Sequence, residues 1–220
     1  MDGKSSGIVF GWEPYNGSAT PSATVLADRS RFGTDGAITG ATWVRQANGL
    51  WGLDFDSATP DYVEVTCPQC NFTSEDFSIV ARVTLDSLAS EPRVFCRGYS
   101  SADGYDLFVQ TNGSQVIRTS QGAVSQDSKT PAGSIAINTK YTYGLSRIGT
   151  SCKLFRDGVD ITSVIGAHTD PLTCNRTTKI GVYDNKVSAP FDGQISFLRV
   201  YNRALSAGEH LQIHNELVTL

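Results

Sequence analysis

Apolar side chains recur at every second position along most of this chain. In "DFSIVARVTL" the residues Phe77, Ile79, Ala81, Val83 and Leu85 fall on one face, and Ser78, Val80, Arg82 and Thr84 on the other, the pattern of a half-buried strand. "YDLFVQTNGSQVIRT" reads as two strands joined at Asn112-Gly113, and "CKLFRDGVDIT" repeats the arrangement at Asp157-Gly158. Both dipeptides favour the tight hairpin turns whose twist matches that of the strands they join. "KYTYGLSRI" alternates Tyr141, Tyr143 and Leu145, while "RVFCRGY" and "TTKIGVY" supply further short strands. One segment departs from period two. In "SAGEHLQIHNEL", Ser206 followed three residues later by Glu209 forms a capping box, which predicts a short helix with Leu211, His214 and Leu217 or Val218 on one face. The pattern predicts one all-β domain over residues 1–220, built of two packed antiparallel sheets. The apolar first strand "GIVFGWE" is expected to lie beside the last, "FDGQISFLRVY", so that neither is a bare edge. The helix is expected to cap an open end of the sandwich, with Leu205 as the plug.

Composition narrows the function. The chain has 220 residues, 40% of them hydrophobic, and a net charge of -4 without a run of Lys or Arg, which argues against nucleic-acid binding. No apolar stretch approaches the ~18 residues of a membrane helix, and the N-terminus lacks the shape of a signal peptide. The expected setting is extracellular or on a particle surface, with the chain beginning at or near a mature start. Five cysteines occur, at 67, 70, 96, 152 and 174. Cys67 and Cys70 have the spacing of half a zinc site, but the second half is missing. Buried thiols or one or two disulfides are the alternatives, and the odd count leaves at least one thiol unpaired. Glycosylation sequons stand at Asn16, Asn71, Asn112 and Asn175.

Five segments in order carry a resemblance: "ADRSRFGTDGAITGATWV", "GLWGLDFDSATPDYVEV", "KLFRDGV", "KIGVYDNKVSAPFDGQISFLRV" and "YNRALSAGE". Together they resemble the laminin-G-like, concanavalin A-like superfamily of the bacterial and viral type, and so imply a jelly-roll sandwich that closes with a corner and a helix. The resemblance also implies a calcium ion near the paired terminal strands. Asp28 stands at the family's first ligand position, with Asp35, the carbonyls from Phe32 onward and Asp192 as further oxygens. Where the family carries acids after Gly-x-Ile, this chain has Ser196 and Phe197, which weakens the set.

Related folds include glycosidases and polysaccharide lyases. A retaining glycosidase needs two carboxyls about 5.5 Å apart. Asp54 and Asp56 have the right period but lie in a structural turn motif, and the chain's three His are not grouped on strands. The reading is a non-catalytic recognition module for a glycan or a surface protein, with Tyr99, Tyr105, Arg97 and His168 as candidate ligand contacts and Tyr183 and Trp51 as further aromatics. The alternatives are a structural surface or virion decoration subunit, as a homo-oligomer or part of a larger assembly, and third a lyase or glycosidase.

Overall fold

The period-two segments fold as antiparallel strands because each must place one side-chain row in an apolar layer and pair its backbone groups with neighbours. The computed structural model describes residues 6–220. In chain order the strands are β1 (Ile8–Trp12), β2 (Val25–Leu26), β3 (Gly36–Thr39), β4 (Thr42–Arg45), β5 (Trp51–Phe55), β6 (Tyr62–Val65), β7 (Phe77–Leu85), β8 (Arg93–Tyr99), β9 (Asp103–Val109), β10 (Gln115–Ser120), β11 (Ser125–Lys129), β12 (Lys140–Ile148), β13 (Ser151–Arg156), β14 (Val159–Asp160), β15 (Thr178–Ile180) and β16 (Gly193–Tyr201). A helix α1 (Ala207–Thr219) closes the chain. One sheet runs β14-β13-β12-β7-β16-β5-β4, with β1 also paired to β16, and the other runs β11-β10-β9-β8-β15-β6-β3-β2. This is the expected jelly-roll sandwich.

Between the sheets lies the main core, into which β7 sends Phe77, Ile79, Ala81, Val83 and Leu85. The terminal strands pair as expected, Gly11 opposite Arg199 and Trp12 opposite Leu198. β16 meets β7 along one side, while its other side pairs first with β5 and then with β1. The change of partner coincides with a bulge at Ser196. The extra residue reverses the facing of the positions beyond it. Ile195, Leu198 and Val200 therefore enter the main core, while Phe197 and Tyr201 face outward.

The helix does not cap an end of the sandwich. It lies on the outer face of the first sheet, where Val80, Phe197, Tyr201, Leu205 and Ile213 form a second apolar cluster. Its capping box is present, with Ser206 accepting from the Glu209 amide and Glu209 from the Ser206 amide. The buried face is His210 and Ile213, with Leu217 packed beside them, whereas Leu211 and Val218 are exposed. Gly158 in the β13-β14 turn permits this docking, because a Cβ there would stand 2.4 Å from the Leu211 Cα.

Two neutral histidines pin this architecture. On the helix, His210 Nε2 meets Ser146 Oγ at 2.8 Å. Ser146 also bonds the Leu205 carbonyl and Ser78 Oγ, and Ser78 accepts from the Leu205 amide. The set closes when His210 donates from Nε2 to Ser146 and Ser146 donates to Leu205. In the second sheet, His168 bridges Thr119 and Ser128 through its two ring nitrogens, each at 2.8 Å. The buried Arg147 donates to the His168 carbonyl and to the carbonyls of Thr73 and Glu75, joining two loops to β12.

Burial pushes both imidazoles down from 6.5 to about 4. Arg147 adds to this at His168, and Glu209 and Asp160 oppose it at His210. Above pH 6.5 both rings are neutral whether the chain is folded or not. As pH falls below 6.5 the unfolded chain takes up protons first, so stability is lost progressively down to about pH 4. Each ring contributes at most about 3 kcal/mol. Denaturant melts between pH 7.5 and 4.5 are expected to show this decline, and His210→Gln, which keeps an N–H donor, to reduce its slope. A stability independent of pH across that window would contradict the assignment.

Candidate functional site

Asp28 sits in the turn between β2 and β3, and that turn is built around its carboxylate. Oδ1 accepts from the amides of Gly11 and Ser30 at 2.9 and 2.8 Å. Oδ2 accepts from Ser30 Oγ, Thr34 N and Thr34 Oγ1 at 2.7, 2.8 and 3.1 Å. Burial acts to raise the Asp28 pKa, but the bonds from Ser30, Gly11 and Thr34 outweigh it and leave it lowered. Asp35 is occupied by the Asp28 amide at 2.8 Å. Asp192 accepts from Ser57 Oγ at 3.0 Å and immediately precedes β16, seven residues before the Arg199 that faces Gly11. At the rise of a strand, and with one of those residues taken up by the bulge at Ser196, Asp192 is about 20 Å along β16 from Arg199.

Of the three acids expected to share a calcium ion, Asp28 and Asp35 are neighbours in one turn and Asp192 lies apart from them. Calcium requires six to eight oxygen ligands, whereas five N–H and O–H donors already fill the Asp28 lone pairs. Among the described residues no group of three or more His, Cys, Asp or Glu is arranged to hold a metal. These residues do not fit the ion, and Asp28 serves to organise its turn.

The expected ligand contacts divide by burial. Tyr105 is 1% exposed, donates to the Cys70 carbonyl at 2.8 Å and packs against Phe72, Phe77 and Phe95. It is a core residue, as is His168. Arg97 is only 4% exposed. The expectation of exposure fails because β8 and β9 are covered on both faces, not one. Tyr99 is exposed, lies 5.4 Å from the Tyr183 ring and has the Arg176 guanidinium 5.3 Å from its centroid. Arg97 lines a pocket of about 210 Å³ with Thr66, Cys67, Pro68, Asn71, Cys174, Asn175, Arg176 and Thr177. Cys67 and Cys70 form a disulfide beside this pocket, and Cys96, Cys152 and Cys174 are free and buried. The CxxC is thus a covalent staple, not half a zinc site.

A second concavity was not anticipated. At the open edge of the sandwich, β4 ends one sheet and β2 the other. Between them Trp12, Tyr15, Pro21, Val25 and Trp43, with Glu13, Ser22 and Arg29, line a groove of about 280 Å³. Trp12 and Trp43 meet edge to face at 5.6 Å. The loop forming the wall is tied down by Trp43 Nε1 to the Ser22 carbonyl at 2.7 Å and Trp51 Nε1 to the Gly17 carbonyl at 3.0 Å. Glu13 is held by a two-point bond from Arg199 at 2.5 and 2.9 Å. Tyr15 and Val25 are exposed, and the buried Trp12 Nε1 has no hydrogen-bond partner among the described residues. Trp51, anticipated as an aromatic contact, instead holds the loop. The missed signal is the pair of aromatics in "GWEPY" and the Trp of "TWV" flanking a loop rich in Gly, Ser, Thr and Pro.

Residues 57–209 match the family model described as the concanavalin A-like lectin/glucanases superfamily. The chain belongs to this superfamily. No curated protein matches the sequence. Among solved structures, the binding domain of Paraclostridial Mosquitocidal Protein 1 is similar with a TM-score of 0.74 at 16% identity, over 97% of this chain and 53% of that one. A botulinum neurotoxin type C structure, from a toxin whose cell entry depends on two ganglioside molecules, gives 0.73 at 14% identity over 99% and 53%. Domain 4 of AbnA, a GH43 extracellular arabinanase from Geobacillus stearothermophilus, in complex with arabinotriose, gives 0.72 at 15% identity over 94% and 98%. The chain spans about half of the toxin structures and nearly all of the arabinanase domain. At these identities the likeness is one of fold.

For a superfamily that includes glucanases, the acid and nucleophile candidates matter. Asp54 is half-buried on β5 and hydrogen-bonded by Gln194. Burial pushes its pKa up despite that bond, with Asp86, Asp192 and Asp61 adding to the effect. Asp56 is spent on the Ala58 amide in the following turn. Ser146 and His210 are in contact, but both are buried where the helix packs on the sheet, so no substrate reaches them.

Asp28→Ala strands several amide and hydroxyl donors and is expected to cost about 2–3 kcal/mol. Thermal melts are expected to show the same loss in calcium and in chelator. A melting temperature that rises with calcium in the native chain, and fails to rise in the variant, would show that the carboxylate binds the ion after all.

Proposed function

We propose that this protein is a non-catalytic recognition module that binds a glycan in the groove between β2 and β4. The observation that carries the proposal is the groove's lining: Trp12, Tyr15 and Trp43 with Glu13, Ser22 and Arg29 on its margin. The C–H face of a sugar suits an aromatic ring, and hydroxyls at the ring's edge suit charged and carbonyl groups at fixed positions. The tied loop presents these groups already ordered, so little conformational freedom is lost on binding. Support also comes from the Geobacillus arabinanase domain, which matches over almost its whole length and is described with arabinotriose. A secreted or surface-displayed setting accords with this role.

Affinity gels of plant and bacterial polysaccharides, with arabinotriose as a soluble competitor, test the reading. The native chain is expected to be retarded by at least one polysaccharide and to release no reducing or unsaturated ends. Tyr15→Ala removes an exposed ring without disturbing the core and is expected to weaken retention about tenfold. Product release, or retention unchanged in Tyr15→Ala, would contradict the proposal.

A further inference from the structure

The pocket around Arg97 is a second site, chemically unlike the groove. Arg97 is 4% exposed, yet no carboxylate among the described residues pairs with it. Its Nη1 donates to Thr178 Oγ1 at 3.3 Å and its Nη2 to the Cys174 carbonyl at 3.2 Å. Its Nε is buried without any partner among the described residues. A buried guanidinium is stable only when its charge is compensated and its donors are used. Neighbouring charges do not supply the compensation. Arg176 is committed to Asp103 and Asp184, Lys179 to Asp184 and Glu64, and Lys186 to Glu64. Three acids answer three bases there, and Arg97 remains in excess.

Hydroxyls and amides share the rest of the lining with Cys67, Pro68, Cys174 and Arg176. Thr66 and Asn175 are exposed at the pocket, and Asn71 and Thr177 are partly so. Asn71 accepts from the Cys174 amide through Oδ1, which leaves its NH₂ group as a donor. The disulfide of Cys67 and Cys70 fixes one wall, and Arg176, beneath Tyr99, forms another.

We infer that this pocket binds the oxyanion of an acidic sugar, with the Arg97 guanidinium as counter-ion and Asn71, Asn175 and Thr66 meeting the ring hydroxyls. A planar guanidinium suits a carboxylate or a sulfate group. The volume holds about one sugar unit, and the hydroxyl and amide groups in the lining suit a hydroxylated ligand. The inference stands apart from the groove reading, since it draws on β8 and the loop before β15 and not on β1, β2 or β4.

The test monitors the arginine Nε–H resonances of the full chain by NMR. Arg97 is assigned through Arg97→Lys, and the probes are glucuronate, inorganic sulfate, glucose and arabinotriose. Glucuronate is expected to shift the Arg97 signal strongly and sulfate more weakly, with glucose and arabinotriose leaving it in place. Arg97→Lys is expected to weaken glucuronate binding about tenfold or more. Asn175→Ala, an exposed change that leaves melting unaltered, is expected to weaken glucuronate about fivefold and sulfate little. No shift with either anion would overturn the inference. Equal response to sulfate and glucuronate, unaltered in Asn175→Ala, would overturn the assignment to a sugar. A shift with arabinotriose would show that the pocket is not selective for anions.

Discussion

The pairing of the first strand with the last is the interaction on which the other features depend. Gly11 stands opposite Arg199 and Trp12 opposite Leu198, and this register has three consequences. The Gly11 amide reaches Asp28 and helps order its turn. Glu13 meets Arg199 in a two-point bond that anchors the start of the groove loop. Trp12 becomes the floor of the groove, edge-on to Trp43. The bulge at Ser196 is what frees the second half of β16 for β1, because it falls where β5 gives way to β1. Ser196 and Phe197, which replace the acids of the family pattern, thus occupy a register change.

Outside the main core the molecule relies on polar contacts sealed from water. Ser78, Ser146 and His210 fasten the helix, Thr119, His168 and Ser128 fasten the loop before β15, and Arg147 joins that loop to the segment before β7. In a buried setting a satisfied network fixes geometry, and a broken one costs the desolvation of every orphaned group. The neutral state of both imidazoles belongs to this design. Several buried side-chain atoms lack a hydrogen-bond partner among the described residues, Arg147 Nε and Tyr143 Oη among them, and of these Arg97 Nε and Trp12 Nε1 belong to residues that line the two concavities described above.

Much of the fold was legible because its signals are local. Period two marked β7 and β12, Asn112-Gly113 and Asp157-Gly158 marked two hairpins, and Ser206 with Glu209 marked the helix start. Matched apolar ends disclosed the terminal pairing. The features that escaped depend on residues remote in sequence. Strict alternation would have sent Arg199 to the core. The bulge prevents this, and only the adjacent Phe197 and Leu198 hinted at it. Which face of the helix is buried depends on Gly144, Ser146 and Phe155, which receive His210. Arg97 and His168 looked exposed because the loops that cover them carry no periodic signal. Asp192 looked close to Asp28 because the two belong to motifs that the family resemblance sets side by side, while the strand between Asp192 and Arg199 holds them apart. The groove needs two edge strands and a loop to exist at all, so its aromatics read as ordinary core positions.

Strand pairing at the chain's ends builds the groove at the open edge of the sandwich that is proposed to bind sugar. The most direct test of this is a titration of the full chain with the retained oligosaccharide, monitoring backbone and tryptophan indole N–H resonances. Shifts centred on the indoles of Trp12 and Trp43 and the amides from Glu13 to Val25 are the predicted result. Saturable binding whose shifts fall on the β9-β10 hairpin or the helix, with both indoles unmoved, would contradict it.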